Sequence, residues 1–104
     1  MTRQLFIAPS AQNDLVDIIS YIERRTSEKT SDRVLRNFQR VFTTLQYSPH
    51  FGHQRKDVRN KSLRFYRIYS YVIAYRHDEA RVEVVRIIQG SRDFSTVFGD
   101  ASRD

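Results

Sequence analysis

Residues 62–93 constrain the fold most. They hold three apolar runs separated by only a few residues: Leu63, Phe65, Tyr66 and Ile68; then Tyr71, Val72, Ile73 and Tyr75; then Val82, Val84, Val85, Ile87 and Ile88. All three are rich in β-branched and aromatic side chains, which suit a pleated, half-buried surface. The first connection is Tyr69-Ser70 and the second runs from His77 to Ala80. Connections that short join antiparallel neighbours, so a three-stranded meander is expected. The third run is apolar on both faces, with Val82, Val84 and Ile88 on one and Val85 and Ile87 on the other. That pattern predicts the most buried strand of the three. Arg86 falls on the face of Val84 and Ile88, where a charge needs a partner: an acidic residue of the domain, with Asp93 or Glu83 as the expected neighbour, or a group on a binding partner.

The charge sits in the same region. From Arg55 to Arg92 there are ten Lys or Arg against four Asp or Glu, so this stretch alone carries the +6 of the whole chain. An overall pI near 10.1 points to an acidic partner, either nucleic acid, an acidic protein or an anionic surface. The 104 residues predict one domain over 1–104, with 99–104 frayed. No cysteine is present, which excludes thiol catalysis, disulfides and thiolate metal sites and fits the cytosol. No apolar run approaches the roughly 18 residues of a membrane span, and residues 1–7 are too short for a signal sequence.

Upstream of the meander, Leu5 to Ala8 reads as a short strand halted by Pro9, a residue suited to the first turn of a helix. A helix over 9–25 follows, because Ala11, Leu15, Ile18 and Ile22 make one stripe. Asp14 and Asp17 near its start, and Arg24 and Arg25 at its end, suit the helix dipole. Thr30 or Ser31 is the expected cap of a second helix, whose apolar face is Val34, Leu35, Phe38, Val41, Phe42 and Leu45. Its other face carries Arg33, Arg36, Asn37 and Arg40, and Ser48-Pro49 ends it. Two such helices form an antiparallel hairpin, and the sheet is the only cover for its apolar side. The expected fold is therefore α+β: an N-terminal strand, then a two-helix hairpin packed on a mainly antiparallel sheet that ends in the meander. Residues 50–61 lack apolar periodicity and read as a mobile surface loop.

Arg55, Lys56, Arg59, Lys61, Arg64 and Arg92 are the candidate anion-binding set, suited to phosphates or carboxylates. The competing reading is a solvated loop, although loops carry a large share of binding residues. Tyr66, Tyr69, Tyr71 and Tyr75 can stack bases, but cross-strand packing explains them better. His50 and His53 alone make a weak zinc signal, so no metal and no cofactor are expected. Dipole matching accounts for Asp14 and Asp17 without an acid–base dyad, and the three glycines form no phosphate loop.

The order of motifs resembles the ParE toxins. Ala8-Pro9, Ala11, Asp14-Leu15, Ile18 and Tyr21-Ile22 are similar to the family's first helix, and Leu45, Ser48-Pro49 and Gly52 to the end of its second. Leu63-Arg64, Tyr66, Tyr71, Ile73 and Tyr75-Arg76 resemble its sheet. The run from Val84 to Ile88, with Gly90 and Arg92-Asp93, resembles its closing strand and turn. The likeness covers about residues 4–98 and implies the fold of the RelE/ParE superfamily. It also implies the toxic half of a type II toxin–antitoxin pair, cytoplasmic and opposed by a ParD-like antitoxin. Contact with operator DNA would come only through that antitoxin.

Within the superfamily the ParE branch is understood to trap DNA gyrase on cleaved DNA, and the RelE branch to cut mRNA on the ribosome. The cutting reaction must stabilise charge on phosphate and move protons. Read that way, Lys56, Lys61 and Arg92 would serve the phosphate, and His53 or His50 the proton. The tail position where that branch places a tyrosine falls on Phe98, which has no hydroxyl. The resemblance therefore favours a non-enzymatic gyrase inhibitor that uses Arg55, Arg59, Lys61, Arg64, Arg92, Phe94 and Phe98 against its target. An endoribonuclease and an inactive, antitoxin-binding homologue are the alternatives.

Overall fold

The computed structural model describes residues 3–99. In chain order it has strand β1 (Gln4–Ile7), helices α1 (Pro9–Arg25) and α2 (Glu28–Tyr47), a 3-10 turn (Pro49–Phe51), strands β2 (Arg64–Ile68), β3 (Tyr71–His77) and β4 (Arg81–Gln89), and a short helix α3 (Phe94–Phe98). The sheet order is β1-β4-β3-β2. The meander is antiparallel throughout, and β1 joins it in parallel on β4, with Gln4 beside Arg81 and Ile7 beside Val84. The expected α+β layout is present. Among the described residues no helix is long and apolar enough to cross a membrane.

Pro9 opens α1 without a side-chain cap on Ala8, while Gln12 Nε2 donates to the Ile7 carbonyl. The break between the helices is only Thr26-Ser27, and Ser27 rather than Thr30 or Ser31 caps α2: its hydroxyl accepts from the Thr30 N–H at 3.1 Å. Ser31 is buried inside the helix and donates to the Glu28 carbonyl. Ser27→Ala should lower stability by about 1 kcal/mol, the usual value of an N-cap, read as an unchanged m-value with a lower midpoint in urea unfolding.

Two cores flank the sheet. On one face Ala11, Ile18, Val34, Phe38, Phe42 and Leu45 of the hairpin meet Ile68, Tyr71, Ile73, Tyr75, Val82, Val84 and Ile87. On the other, Val58 and Leu63 of the long loop and Phe94 of α3 cover Phe65, Val72, Ala74 and Ile88. With both faces covered, the central strand β3 is buried at five consecutive residues, Tyr71 to Tyr75, and exceeds β4 in this respect.

The correction for β4 has a geometric cause. Ala74 sits opposite Arg86 but Tyr75 sits opposite Val84, which leaves Val85 without a partner. This bulge shifts the alternation by one residue. Val84 and Ile87 therefore lie in the helix-side core and Ile88 in the opposite one. Strict alternation, which puts Val84, Arg86 and Ile88 together, fails at that residue.

Arg86 pairs with neither Asp93 nor Glu83. Its guanidinium donates to both oxygens of Asp14 on α1, at 2.7 and 3.2 Å. Glu83 instead takes Arg76 at 2.8 Å, and Asp93 accepts from Ser95 and Thr96 as the cap of α3. Asp14 Oδ2 also accepts the Ile87 N–H at 2.9 Å. β1 ends at Ile7 and the Ala8 N–H takes the Val84 carbonyl, so Asp14 carries the hydrogen bonding of that edge one step further. The Asp14 bond is the main cause that raises the Arg86 pKa.

Candidate functional site

The loop from Gly52 to Leu63 is strapped down rather than mobile, and its straps decide which cations are free. His53 pairs with Phe65 through two backbone bonds of 2.9 and 2.8 Å. Val58 and Leu63 are anchored in the second core. Lys61 Nζ donates to the carbonyls of Arg55 (2.8 Å) and Val58 (2.7 Å), and Gln54 Nε2 donates to the Lys61 carbonyl. Lys61 is thus an internal tie as well as a surface charge. The Arg59 N–H reaches the Gly99 carbonyl at 3.4 Å and joins the loop to the end of α3.

Above the second core lies an aromatic triangle. Phe65 is 5.6 Å from Phe94 and 5.5 Å from Phe98, and Phe94 is 6.1 Å from Phe98. The Arg55 guanidinium lies 3.8 Å from the Phe94 ring centre, a cation–π contact, and grips both oxygens of Asp57 at 2.9 and 3.0 Å. Hydrogen bonding from Arg55 is the leading cause holding the Asp57 carboxyl below its usual range. Phe94 is only 1% exposed and turns inward as a platform for Arg55, because the sheet face beneath it would otherwise be bare. Phe98 is half-buried, while Lys56, Arg59 and His53 are exposed on the same loop.

Two predicted members lie elsewhere. Arg64 is on β2 opposite Tyr75, with its guanidinium 3.4 Å from His50 Nδ1. His50 meets His77 edge-on at 4.8 Å. Burial, then the positive field of His50, Arg3 and Arg64, holds His77 below the usual imidazole range against the opposing pull of Asp78. Arg92 lines a cavity of about 230 Å³ with Asp14, Asp17, Tyr21, Tyr71 and Arg86. The structure thus brings Arg55, Phe94 and Phe98 together, links Arg59 and Lys61 to them through the loop, and places Arg64 and Arg92 in other surroundings. Sequence reasoning missed Asp57, whose signal was its i, i+2 spacing from Arg55 in the basic loop.

The four tyrosines are mainly structural. Tyr71 and Tyr75 are buried in the helix-side core, and burial is the main cause raising both hydroxyl pKa values. Tyr66 stacks on Phe51 at 5.5 Å. Tyr69, in the β2–β3 turn at φ 55°, accepts from Asn37 of α2. Among the described residues there is no group of three or more His, Asp or Glu arranged to hold a metal.

The model of the family described as "ParE toxin of type II toxin-antitoxin system, parDE" matches residues 5–94. The chain belongs to the ParE toxin family. Among solved structures it is similar to a chain of a chromosomal ParDE toxin–antitoxin system from P. aeruginosa, with a TM-score of 0.70 and 14% identity, covering 85% of this chain and 96% of that one. At that identity the likeness is one of fold, and it spans nearly the whole of the other chain. No curated protein gives a significant match. This ParE-family chain carries that fold with Arg55, Phe94 and Phe98 brought together on one face.

Proposed function

We propose that this chain is a toxin that inhibits DNA gyrase by binding and is neutralised by a ParD-like antitoxin. The observation that carries the non-enzymatic part is the packing of the tail. By the family resemblance, Phe98 falls at the tail position where the nuclease branch has a proton-carrying tyrosine, and its ring packs edge-on to Phe65. Around it Arg55 is committed to Asp57 and Phe94, and Lys61 to two carbonyls. Such a surface can hold an acidic target, and His53, exposed on the same loop, is the side chain a nuclease would have to use there for proton transfer. Lys56 and Arg59 supply the remaining positive charge of this face towards the target, with Phe98 at the rim, while Arg64 and Arg92 add charge in their separate surroundings.

The antitoxin has two places to dock. β1 is an edge strand with its outer side unpaired within the sheet, open to strand addition. Beside it an apolar hollow of about 330 Å³ is lined by Ile7, Leu15, Val16, Ile19 and Leu35, and Val16 is 62% exposed. An amphipathic helix fits such a hollow.

The deciding experiment is a supercoiling assay with purified gyrase, run beside cleavage of mRNA on translating ribosomes. Inhibition of supercoiling without mRNA cleavage is expected. Lys56→Ala with Arg59→Ala, both at exposed positions, should raise the half-inhibitory concentration about tenfold, or about 1.4 kcal/mol, with unfolding unchanged. Cut transcripts with gyrase untouched would replace this reading with the nuclease.

A further inference from the structure

The outer edge of β4 is covered along only part of its length. β1 pairs with it from Arg81 to Val84, and the Ala8 N–H takes the Val84 carbonyl before the chain turns into α1. Beyond that point the backbone groups can be followed one by one. The Gly90 N–H bonds to the Ser70 carbonyl on the β3 side. By the alternation of an antiparallel ladder Ile88 also faces β3, while Ile87 and Gln89, opposite Ile73 and Tyr71, face outward. The Ile87 N–H is held by Asp14 Oδ2, and the Gln89 carbonyl by the Arg92 N–H. The Ile87 carbonyl and the Gln89 N–H take no partner among the described residues outside the sheet. One acceptor and one donor thus remain on the edge, either side of Ile88. Ile87, Ile88 and Gln89 line the cavity of about 230 Å³ shared with Asp17 and Arg92. Those last two side chains are exposed and opposite in charge, and neither joins an ion pair among the described residues.

We infer that this hollow binds a free α-amino acid as its zwitterion. β1 supplies the pattern: Gln4, beside Arg81, donates its N–H to the Ala80 carbonyl. A single extended residue beside Ile88, parallel to β4 as β1 is, donates to the Ile87 carbonyl and accepts from the Gln89 N–H in the same way. That direction turns its carboxylate towards Gln89 and Arg92, and leaves its ammonium for the Ile87 carbonyl and Asp17. The same groups disfavour other occupants. A longer extended peptide needs the Ile87 N–H for the residue two places upstream, and Asp14 holds it. Phosphate would face a carbonyl and the Asp17 carboxylate. A divalent cation would find Asp14 spent on Arg86 and, among the described residues, no group of three His, Asp or Glu. The hollow is also smaller than the roughly 300 Å³ at which sites for larger small molecules begin. The inference does not rest on the gyrase reading, and its test uses no gyrase.

The test is an NMR titration of the isotope-labelled full chain with L-alanine, followed at the backbone amides. The Gln89 amide should shift saturably, with Ile87 and Arg92 beside it and the rest of the spectrum unmoved. N-acetyl-L-alanine lacks the ammonium and L-alanine amide lacks the carboxylate. Each should bind about tenfold more weakly or worse, the loss of one charge-assisted contact, and tri-L-alanine and inorganic phosphate should be weaker than L-alanine too. Asp17→Asn and Arg92→Gln should each weaken L-alanine by a similar factor, and an unchanged spectrum away from the hollow shows that the variants are folded. The preferences should also separate. Asp17→Asn removes the advantage of L-alanine over its N-acetyl derivative, and Arg92→Gln removes its advantage over the amide; a merely structural role for either residue would leave both preferences in place. Absence of a shift with L-alanine in the millimolar range overturns the inference. So does equal binding of N-acetyl-L-alanine or phosphate, which would make the hollow a plain anion site. Tighter binding of tri-L-alanine would replace it with strand addition by a peptide, and variants that keep both preferences would remove Asp17 and Arg92 from the site.

Discussion

Asp14→Ala is expected to lower the stability of this chain by about 3 kcal/mol. Breaking a fully buried ion pair by removing one partner costs roughly 3–5 kcal/mol. Here the side chains are 32% (Arg86) and 17% (Asp14) exposed, so water repays part of that cost. A further loss is added, because the Ile87 N–H sits on a β4 edge that β1 no longer covers and Asp14 Oδ2 is its acceptor. For a domain of this size, 3 kcal/mol corresponds to a fall in Tm of roughly 12–24 °C. Asp14→Asn keeps an acceptor for Ile87 and removes the charge, so it should cost about half as much. The cycle with Arg86→Met separates the pair from the edge bond. If Asp14 serves mainly the pair, the double variant is more stable than Asp14→Ala alone, because the stranded guanidinium is gone. A cost below about 1 kcal/mol, typical of an exposed surface pair, would show that Asp14 does not support the β4 edge.

That pair also marks where sequence reading stops. The hairpin and meander were legible because each is a local pattern: the stripe Ala11, Leu15, Ile18, Ile22 repeats at helical spacing, and Tyr69-Ser70 is too short for any connection but a hairpin. Asp14 and Arg86 are 72 residues apart, and no periodicity links them. The helix dipole looked like a local reason for Asp14, but Asp14 is the sixth residue of α1 and no acidic residue lies in its first turn; that expectation hid the long-range role. The bulge at Val85 was invisible for a related reason. An apolar run of Val and Ile looks the same whether or not one residue is skipped, and only the register against Ala74 and Tyr75 reveals it. In the candidate site, charge pointed to the loop. It did not distinguish Lys56 and Arg59, exposed and outside any ion pair among the described residues, from Lys61, whose three donors are partly spent on carbonyls. Phe94 read as a target contact because an aromatic tail residue with no visible partner looks exposed. Its partner is a sheet face that the helices cannot reach.

Gly52→Ala should be at least as damaging, and for a reason that backbone angles do not supply. Gly52 has φ −81° and ψ 175°, which any residue can adopt. What excludes a side chain is crowding. A Cβ there would lie 2.6 Å from the Tyr75 hydroxyl, 2.8 Å from Tyr75 Cε1 and 2.8 Å from the Phe65 carbonyl oxygen. Tyr75 is fully buried and the Phe65 carbonyl belongs to the bridge with His53, so neither neighbour is a flexible tip. The same hydroxyl accepts from the Gly52 N–H at 2.8 Å and donates to the Pro49 carbonyl at 2.6 Å, and so closes the 3-10 turn onto the sheet. Overpacking of this kind costs about 1–3 kcal/mol, and displacing the hydroxyl strands two buried backbone groups at about 1 kcal/mol or more each. A total near 4 kcal/mol is expected, measured by denaturant unfolding. Tyr75→Phe alone should cost about 2 kcal/mol through the same two groups. Combined, the substitutions should cost less than their sum, because the hydroxyl is already gone when the methyl enters. The Phe65 carbonyl still blocks that methyl, so the double variant should remain less stable than Tyr75→Phe. Strict additivity would mean that the methyl and the hydroxyl never meet. A harmless Gly52→Ala would mean that the turn at Pro49–Phe51 does not lie against β3.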